Sequence, residues 1–196
     1  MPAPLEPGTL LIASLALEEP TFSRTVVVLL QYVPDELTLG VIVNRPLGDR
    51  ARLYPSDELS NLTQGLTKSA NLGGMFFQGG PVDPGSLIFL HRVDELGEEA
   101  TRIREGLYAG GDLDALRAHT AAFGTESPLL RFFLGYAEWA PGQLEDEISM
   151  GAWILAPCNV DFVFAEESDQ VWQQSLHYLG GKYAPMSFMP EDPTLN

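Results

Sequence analysis

The chain has 196 residues, 45% of them hydrophobic and 19% charged, and its 27 Asp and Glu against 11 Lys and Arg give a net charge of -16. That length supports one well-covered core rather than two full domains, and the composition is that of a folding chain, not a disordered one. Such an acid excess repels phosphate polymers and anionic lipid surfaces, so neither direct nucleic-acid binding nor membrane binding is expected.

Cys158 is the only cysteine, which excludes an intrachain disulfide and a Cys-rich metal site and fits a cytoplasmic protein. Met1 to Gly8 carries no basic region followed by an apolar stretch, and the longest apolar runs are strand-length. The reading is therefore of no signal peptide and no membrane span.

In chain order, Thr9 to Ala13, Thr25 to Tyr32 and Leu39 to Val43 are β-branched or aliphatic runs, cut by Pro20, by Pro34-Asp35 and by Asn44-Arg45-Pro46. Their length and punctuation predict strands. The second and third are nearly continuous in apolar character, as expected of neighbouring strands buried on both faces. Ser56 as N-cap, Asp57 and Glu58 in a first turn, and Leu59, Leu62 and Leu66 at helical spacing predict a helix. Met75 to Gln78 and Leu87 to His91 read as strands around Gly79 to Gly85, where glycine and proline oppose any regular element. Val93 to Glu105 is charged and expected to be exposed.

Asp112 can cap a helix running to about Phe123, and Leu129 to Tyr136 reads as a strand. It leads into the bend Gly135 to Glu147, where Pro141 suits a first helical turn. Ala152 to Ala156 and Val160 to Phe164 read as the last strands, broken by Pro157-Cys158-Asn159. A final helix, capped near Ser168 or Asp169, puts Val171, Trp172, Leu176 and Leu179 on one stripe and ends at Gly180-Gly181. Ala184 to Asn196 reads as a loosely held tail. This order predicts an α/β or α+β protein, one domain over residues 8–183 with a mixed sheet flanked by helices.

Catalytic signatures fail on physical grounds. His91, His119 and His177 are isolated and show no paired helical spacing, so no metal is expected. His91, at a strand end, is the better functional candidate of the three, although a satisfied structural histidine is favoured. There is no Gly-x-Ser-x-Gly elbow, and neither Gly73-Gly74 nor Gly79-Gly80-Pro81 matches a phosphate or dinucleotide loop. Glu145, Asp146 and Glu147 are successive on a helix and read as a solvated face, and Cys158 reads as an inert buried thiol. No cofactor is expected.

Four segments point together in another direction: Leu10-Leu11-Ile12-Ala13 with Phe22-Ser23-Arg24-Thr25-Val26, Gly40 to Pro46, Gly79-Gly80-Pro81-Val82, and Gly135-Tyr136 through Trp139 to Pro141-Gly142-Gln143-Leu144-Glu145. In this order, over about residues 8 to 180, the chain resembles the YqgE/AlgH family of bacterial proteins. The resemblance implies a compact cytosolic α/β protein with a mixed, partly barrel-like sheet and no established enzymatic activity. Some members carry the label of transcriptional regulator, which sits badly with the -16 charge and the lack of a basic recognition helix. The chain departs from the family pattern at Glu138 and Ala140, where glycines are common, and at Ala16, where serine is usual.

The leading expectation is a non-enzymatic binding or regulatory protein with an unidentified protein or small-molecule partner. Its recognition surface would gather the turn Asn44 to Pro46, the loop Gly79 to Val82 and the bend Tyr136 to Glu145. The candidate residues are Arg24, Asn44, Arg45, Pro46, Gly79, Gly80, Pro81, His91, Tyr136, Trp139, Gln143 and Glu145. Trp139 is expected on the rim of that surface, whereas Trp153 and Trp172 are expected in apolar packing. The alternative is an enzyme that binds an anionic small molecule through Arg24, Asn44, Arg45 or His91. A DNA-binding regulator ranks last.

Overall fold

Side-chain alternation builds the centre of the molecule. The computed structural model describes residues 3–17, 19–48, 76–94, 99–112, 115, 118 and 130–189. Its first three strands are β1 (Leu10–Ala13), β2 (Val26–Gln31) and β3 (Thr38–Ile42). Successive residues of a strand point to opposite faces. Leu10, Ile12, Val26, Val28 and Val41 accordingly enter one core cluster, and Leu11, Ala13, Val27, Leu29 and Ile42 enter another. Both faces are covered, which is why these runs carry almost no polar residue.

The remaining strands are β4 (Phe76–Gln78), β5 (Val82–His91), β6 (Thr101–Arg104), β7 (Leu107–Ala109), β8 (Leu130–Trp139) and β9 (Trp153–Ala156). The sheet runs β6-β7-β5-β8-β3-β2-β1-β9, with β4 beside β8. Every pairing is antiparallel except β4 with β8. The result is a mixed, partly barrel-like sheet flanked by helices. Strand β8 is its spine: its first half pairs with β4 and β5, and its last residues pair with β3.

Three helices follow the spine: α1 (Gln143–Ser149), α2 (Val160–Val163) and α3 (Val171–Leu179). Val163, Phe164, Val171, Trp172 and Leu176 cover one sheet face. Trp139, Leu144 and Trp153 cover the other. No helix among the described residues is long and apolar enough to cross a membrane.

Several elements differ from the sequence reading. Val160 to Phe164 is a helical turn rather than a strand, because Asn159 caps it, its side chain accepting from the Asp161 N–H at 3.0 Å. Strand β5 begins at Val82, inside the segment expected to be irregular, since Val82 pairs with Tyr136 before a shift in register. Strand β8 continues to Trp139, and Gly142 rather than Pro141 sits at the helix entrance, with φ of 79°. Within the stretch expected to be exposed, Ile103 is buried. The helix expected from Ser56, most of that expected after Asp112, and His119 lie outside the described residues.

Candidate functional site

The conspicuous motifs are best read by following their hydrogen bonds. Asn44 is buried just past β3, where its Oδ1 accepts from the Val26 N–H at 2.8 Å and its Nδ2 donates to the Arg24 carbonyl at 2.9 Å. It thereby holds Arg24 at φ 53°, a left-handed backbone conformation that a residue with a Cβ resists. Arg45 Nη2 donates to the Ser23 carbonyl at 3.0 Å, while Pro46 forms a bridge with Phe77. The Arg24 side chain reaches the other end of the chain, donating to the Met189 carbonyl at 2.7 Å with its guanidinium 4.8 Å from the Trp172 ring centroid.

Gly79-Gly80-Pro81 carries the chain across β8, from the β4 side to the β5 side. The Gly79 N–H donates to Leu134 at 2.8 Å and its carbonyl accepts from Ile42 at 2.8 Å. A Cβ on Gly80 would stand 2.1 Å from the Tyr136 carbonyl, and one on Gly135, at φ 69°, would stand 2.7 Å from the Gly80 oxygen. Two backbones touch here, and only glycine permits that. Tyr136 is half-buried against the core.

At the far end of β8, Trp139 is only 2% exposed. This corrects the expected rim position: β8 runs on to pair Trp139 with Thr38, so the indole turns into the core beside Phe22 and Trp153. Glu147 holds the arrangement together. Its Oε2 accepts from both indole N–H groups, Trp139 at 3.0 Å and Trp153 at 2.7 Å, and its Oε1 accepts from Gln143 at 2.9 Å. Gln143 also accepts from the Ala140 N–H at 3.0 Å, and Glu145 accepts from the Tyr32 hydroxyl at 2.8 Å. That last bond, more than burial, raises the Tyr32 pKa above its usual 10.0. Glu145 and Glu147 are thus not a simple solvated face.

His91 is fully buried and stacks on Tyr108 with ring centroids 5.6 Å apart. Val93 N–H donates to its Nδ1 at 3.2 Å, so the proton sits on Nε2, which faces the Gly110 carbonyl at 2.9 Å. Cys158 is half-buried, and burial pushes its thiol pKa up. No cluster of three or more His, Cys, Asp or Glu able to hold a metal occurs among the described residues.

The structure brings Arg24, Asn44 and Arg45 together, and the Gly79–Gly80 loop lies between that turn and Tyr136, with Gln78 N–H donating to the Arg45 carbonyl at 2.9 Å and Gly80 packed on the Tyr136 backbone. Trp139, Gln143 and Glu145 gather near Thr38, about 20 Å of extended chain from Asn44. His91 stands apart, opposite Leu130.

Two clefts instead flank the short helical turn Ala184–Phe188, the first part of the segment read as a tail. One, of about 540 Å³, includes Ser14, Leu15, Ala16, Lys182 and Tyr183. Its polar groups are engaged: Ser14 Oγ donates to the Gly151 carbonyl at 2.6 Å, and the Lys182 ammonium lies 5.0 Å from the Tyr183 ring centroid. The other, of about 580 Å³, runs along α3 between Phe162, Gln173, His177, Tyr178 and Phe188. Tyr178 is 64% and Phe188 79% exposed, and Gln173 Oε1 is buried without a hydrogen-bond donor. Gln173 and His177, four residues apart, share one strip of the helix. The sequence reading followed the apolar stripe of this helix and missed the opposite one, whose signal was an aromatic residue among polar ones.

The AlgH-like family model (DUF179) matches residues 10–184. A UPF0301 protein of Chlamydia caviae is 35% identical over 192 residues, covering 98% of this chain and 96% of that protein. One from Chlorobium luteolum is 35% identical over 193 residues, covering 98% and 95%. Among solved structures, a Corynebacterium diphtheriae protein superposes with a TM-score of 0.74 at 24% identity, covering 96% of this chain and 95% of the other. The AlgH protein of Pseudomonas aeruginosa superposes with a TM-score of 0.65 at 23% identity, covering 98% of each. The structural matches share the fold, the sequence matches span nearly the whole length, and the chain belongs to the AlgH-like family.

Proposed function

We propose that this is a non-catalytic binding protein that recognises an apolar, ring-bearing ligand in the α3 cleft. The observation that carries the reading is the cleft itself: it is an open groove of about 580 Å³ whose exposed wall is mostly apolar, with Phe162, Tyr178 and Phe188 among the polar Gln173, Gln174, His177 and Ser187. Phe162 and Tyr178 already meet edge to face at 5.7 Å, leaving their outer faces to a third ring. Gln173 Oε1 supplies an acceptor, and rotation of its side-chain amide presents that oxygen to a donor on the ligand. Any regulatory output then passes through ligand or protein contacts and not through DNA, which the net charge of -16 repels.

Indole, an apolar ring with a single N–H, is the probe. Calorimetric titration of the whole protein should detect indole binding, weaker binding of 1-methylindole, and loss of both in Phe188→Ser and Tyr178→Ser. Equal binding to these variants and the parent, or no binding of indole at millimolar concentration, would sink the reading.

A further inference from the structure

Arg131 lies in β8 opposite Leu90 and is 5% exposed. Its Nη2 donates to the Ala165 carbonyl, its guanidinium sits 4.3 Å from the Phe77 ring centroid, and its Nη1 is buried without a partner among the described residues. Arg92 follows β5 two residues beyond Leu90, and so is a diagonal neighbour of Arg131 on the same sheet face. It gives Nη2 to Asp161 Oδ1 at 2.7 Å and lies 5.0 Å from the Phe164 ring centroid, and its Nε is likewise buried without a partner. Both guanidiniums therefore bear on residues 161–165 and both keep an N–H unspent.

The charge balance is equally incomplete. Burial first, and the Arg92 charge second, push Arg131 down to about 10, so it stays cationic at neutral pH. Aromatic faces attract a cation but offer no acceptor to an N–H. Among the described residues, Asp161 is the carboxylate paired with either arginine, it pairs with Arg92 alone, and its side chain is 85% exposed. In a protein with 16 surplus negative charges, a buried guanidinium with no carboxylate of its own among the described residues demands a physical reason.

We propose that Arg92 and Arg131 form a binding site for a small oxyanion, a phosphate or carboxylate group, and that Asp161 occupies its mouth as a displaceable internal substitute. The incoming anion takes the place of the Asp161 carboxylate on Arg92 and accepts from Arg92 Nε and Arg131 Nη1. Displacing an exposed ion pair costs little, whereas charge-assisted bonds to the shielded donors are strong. This site is independent of the α3 cleft.

Thermal unfolding of the whole protein in sodium phosphate, sodium acetate and sodium chloride at matched ionic strength tests it. Matching is essential, because screening of the acid excess stabilises the fold with any salt. Phosphate or acetate should raise the midpoint beyond chloride by more in the parent than in Arg92→Gln, since general exclusion of such anions from protein surface acts on both alike, and whichever shows that excess identifies the group. The concentration giving a fixed excess shift of the midpoint should fall about tenfold in Asp161→Asn, and the excess should vanish in Arg92→Gln. Arg92 is half-buried, so its replacement spares the core that a change at Arg131 would disturb. Superimposable curves in the three salts, an oxyanion effect as large in Arg92→Gln as in the parent, or a weaker effect in Asp161→Asn would each overturn the proposal.

Discussion

Around β3 and the later half of β8, hydrogen bonds close within the chain: Asn44 ties β2 to the Arg24 turn, and Glu147 binds two indoles and an amide. Along α3, and where the end of β5 meets the start of β8, they stay open among the described residues, at Gln173 Oε1, Arg92 Nε and Arg131 Nη1. The first region holds most of the residues that stand out in the sequence, and it stands out because its backbone geometry is demanding. A chain that crosses a strand in contact needs glycine, and a left-handed arginine needs an asparagine to hold it. The second region looks ordinary in sequence, yet it has the polar groups without partners and the exposed rings. Prominent motifs here mark where the fold is hard to build, and the two proposed sites lie instead where bonding is incomplete.

That contrast breaks most visibly at the crossing. Gly80→Ala should cost more than about 4 kcal/mol or prevent folding, because its Cβ would meet a backbone carbonyl at 2.1 Å. A denaturant midpoint close to that of the parent would show that the crossing can relax. Trp139→Ala should cost about 3–5 kcal/mol in the same measurement, the price of truncating a core tryptophan, and a loss below about 1 kcal/mol would return Trp139 to the rim. Glu147→Gln should cost about 1–3 kcal/mol, since one amide oxygen cannot replace a carboxylate that accepts from three donors.

Alkaline pH gives a smaller effect of defined sign. The folded Tyr32 pKa is raised, so its contribution is intact below the unfolded tyrosine value of 10.0 and is lost as pH rises through the folded value. Tyr32→Phe should therefore flatten stability above pH 10.0, and an unchanged alkaline slope would contradict the Tyr32–Glu145 bond. The smallest stability change, within about 0.5 kcal/mol, is expected for Phe188→Ser, whose ring is 79% exposed. A larger loss would make Phe188 part of the packing instead of an open wall.

Strand positions were legible because the apolar runs Leu10 to Ala13 and Val26 to Leu29 are strand-length and cut by turn residues, and the fold buries both of their faces by sending alternate side chains into two core clusters. Val160 to Phe164 misled because its β-branched and aromatic residues favour a strand locally, while the Asn159 cap and the burial of Val163 and Phe164 decide for a helical turn. Trp139 misled because the end of β8 is set by pairing with Thr38, a partner remote in sequence. Glu147 was unreadable for a different reason: its two indoles are near in sequence but are carried on β8 and β9, before and after α1, and only the fold turns both toward it. Arg131 did carry a signal: it is the one charge between Leu129 and Tyr136, an interruption that a buried strand does not tolerate without cause.

The most direct test follows backbone amide chemical shifts of the isotope-labelled protein during an indole titration. The account predicts saturable shifts concentrated on residues 162–189, along α3 and the turn after it, with residues 44–46, 79–82 and 136–145 unmoved. Shifts concentrated on those three motif segments instead would place recognition where the chain looks most distinctive and contradict the account.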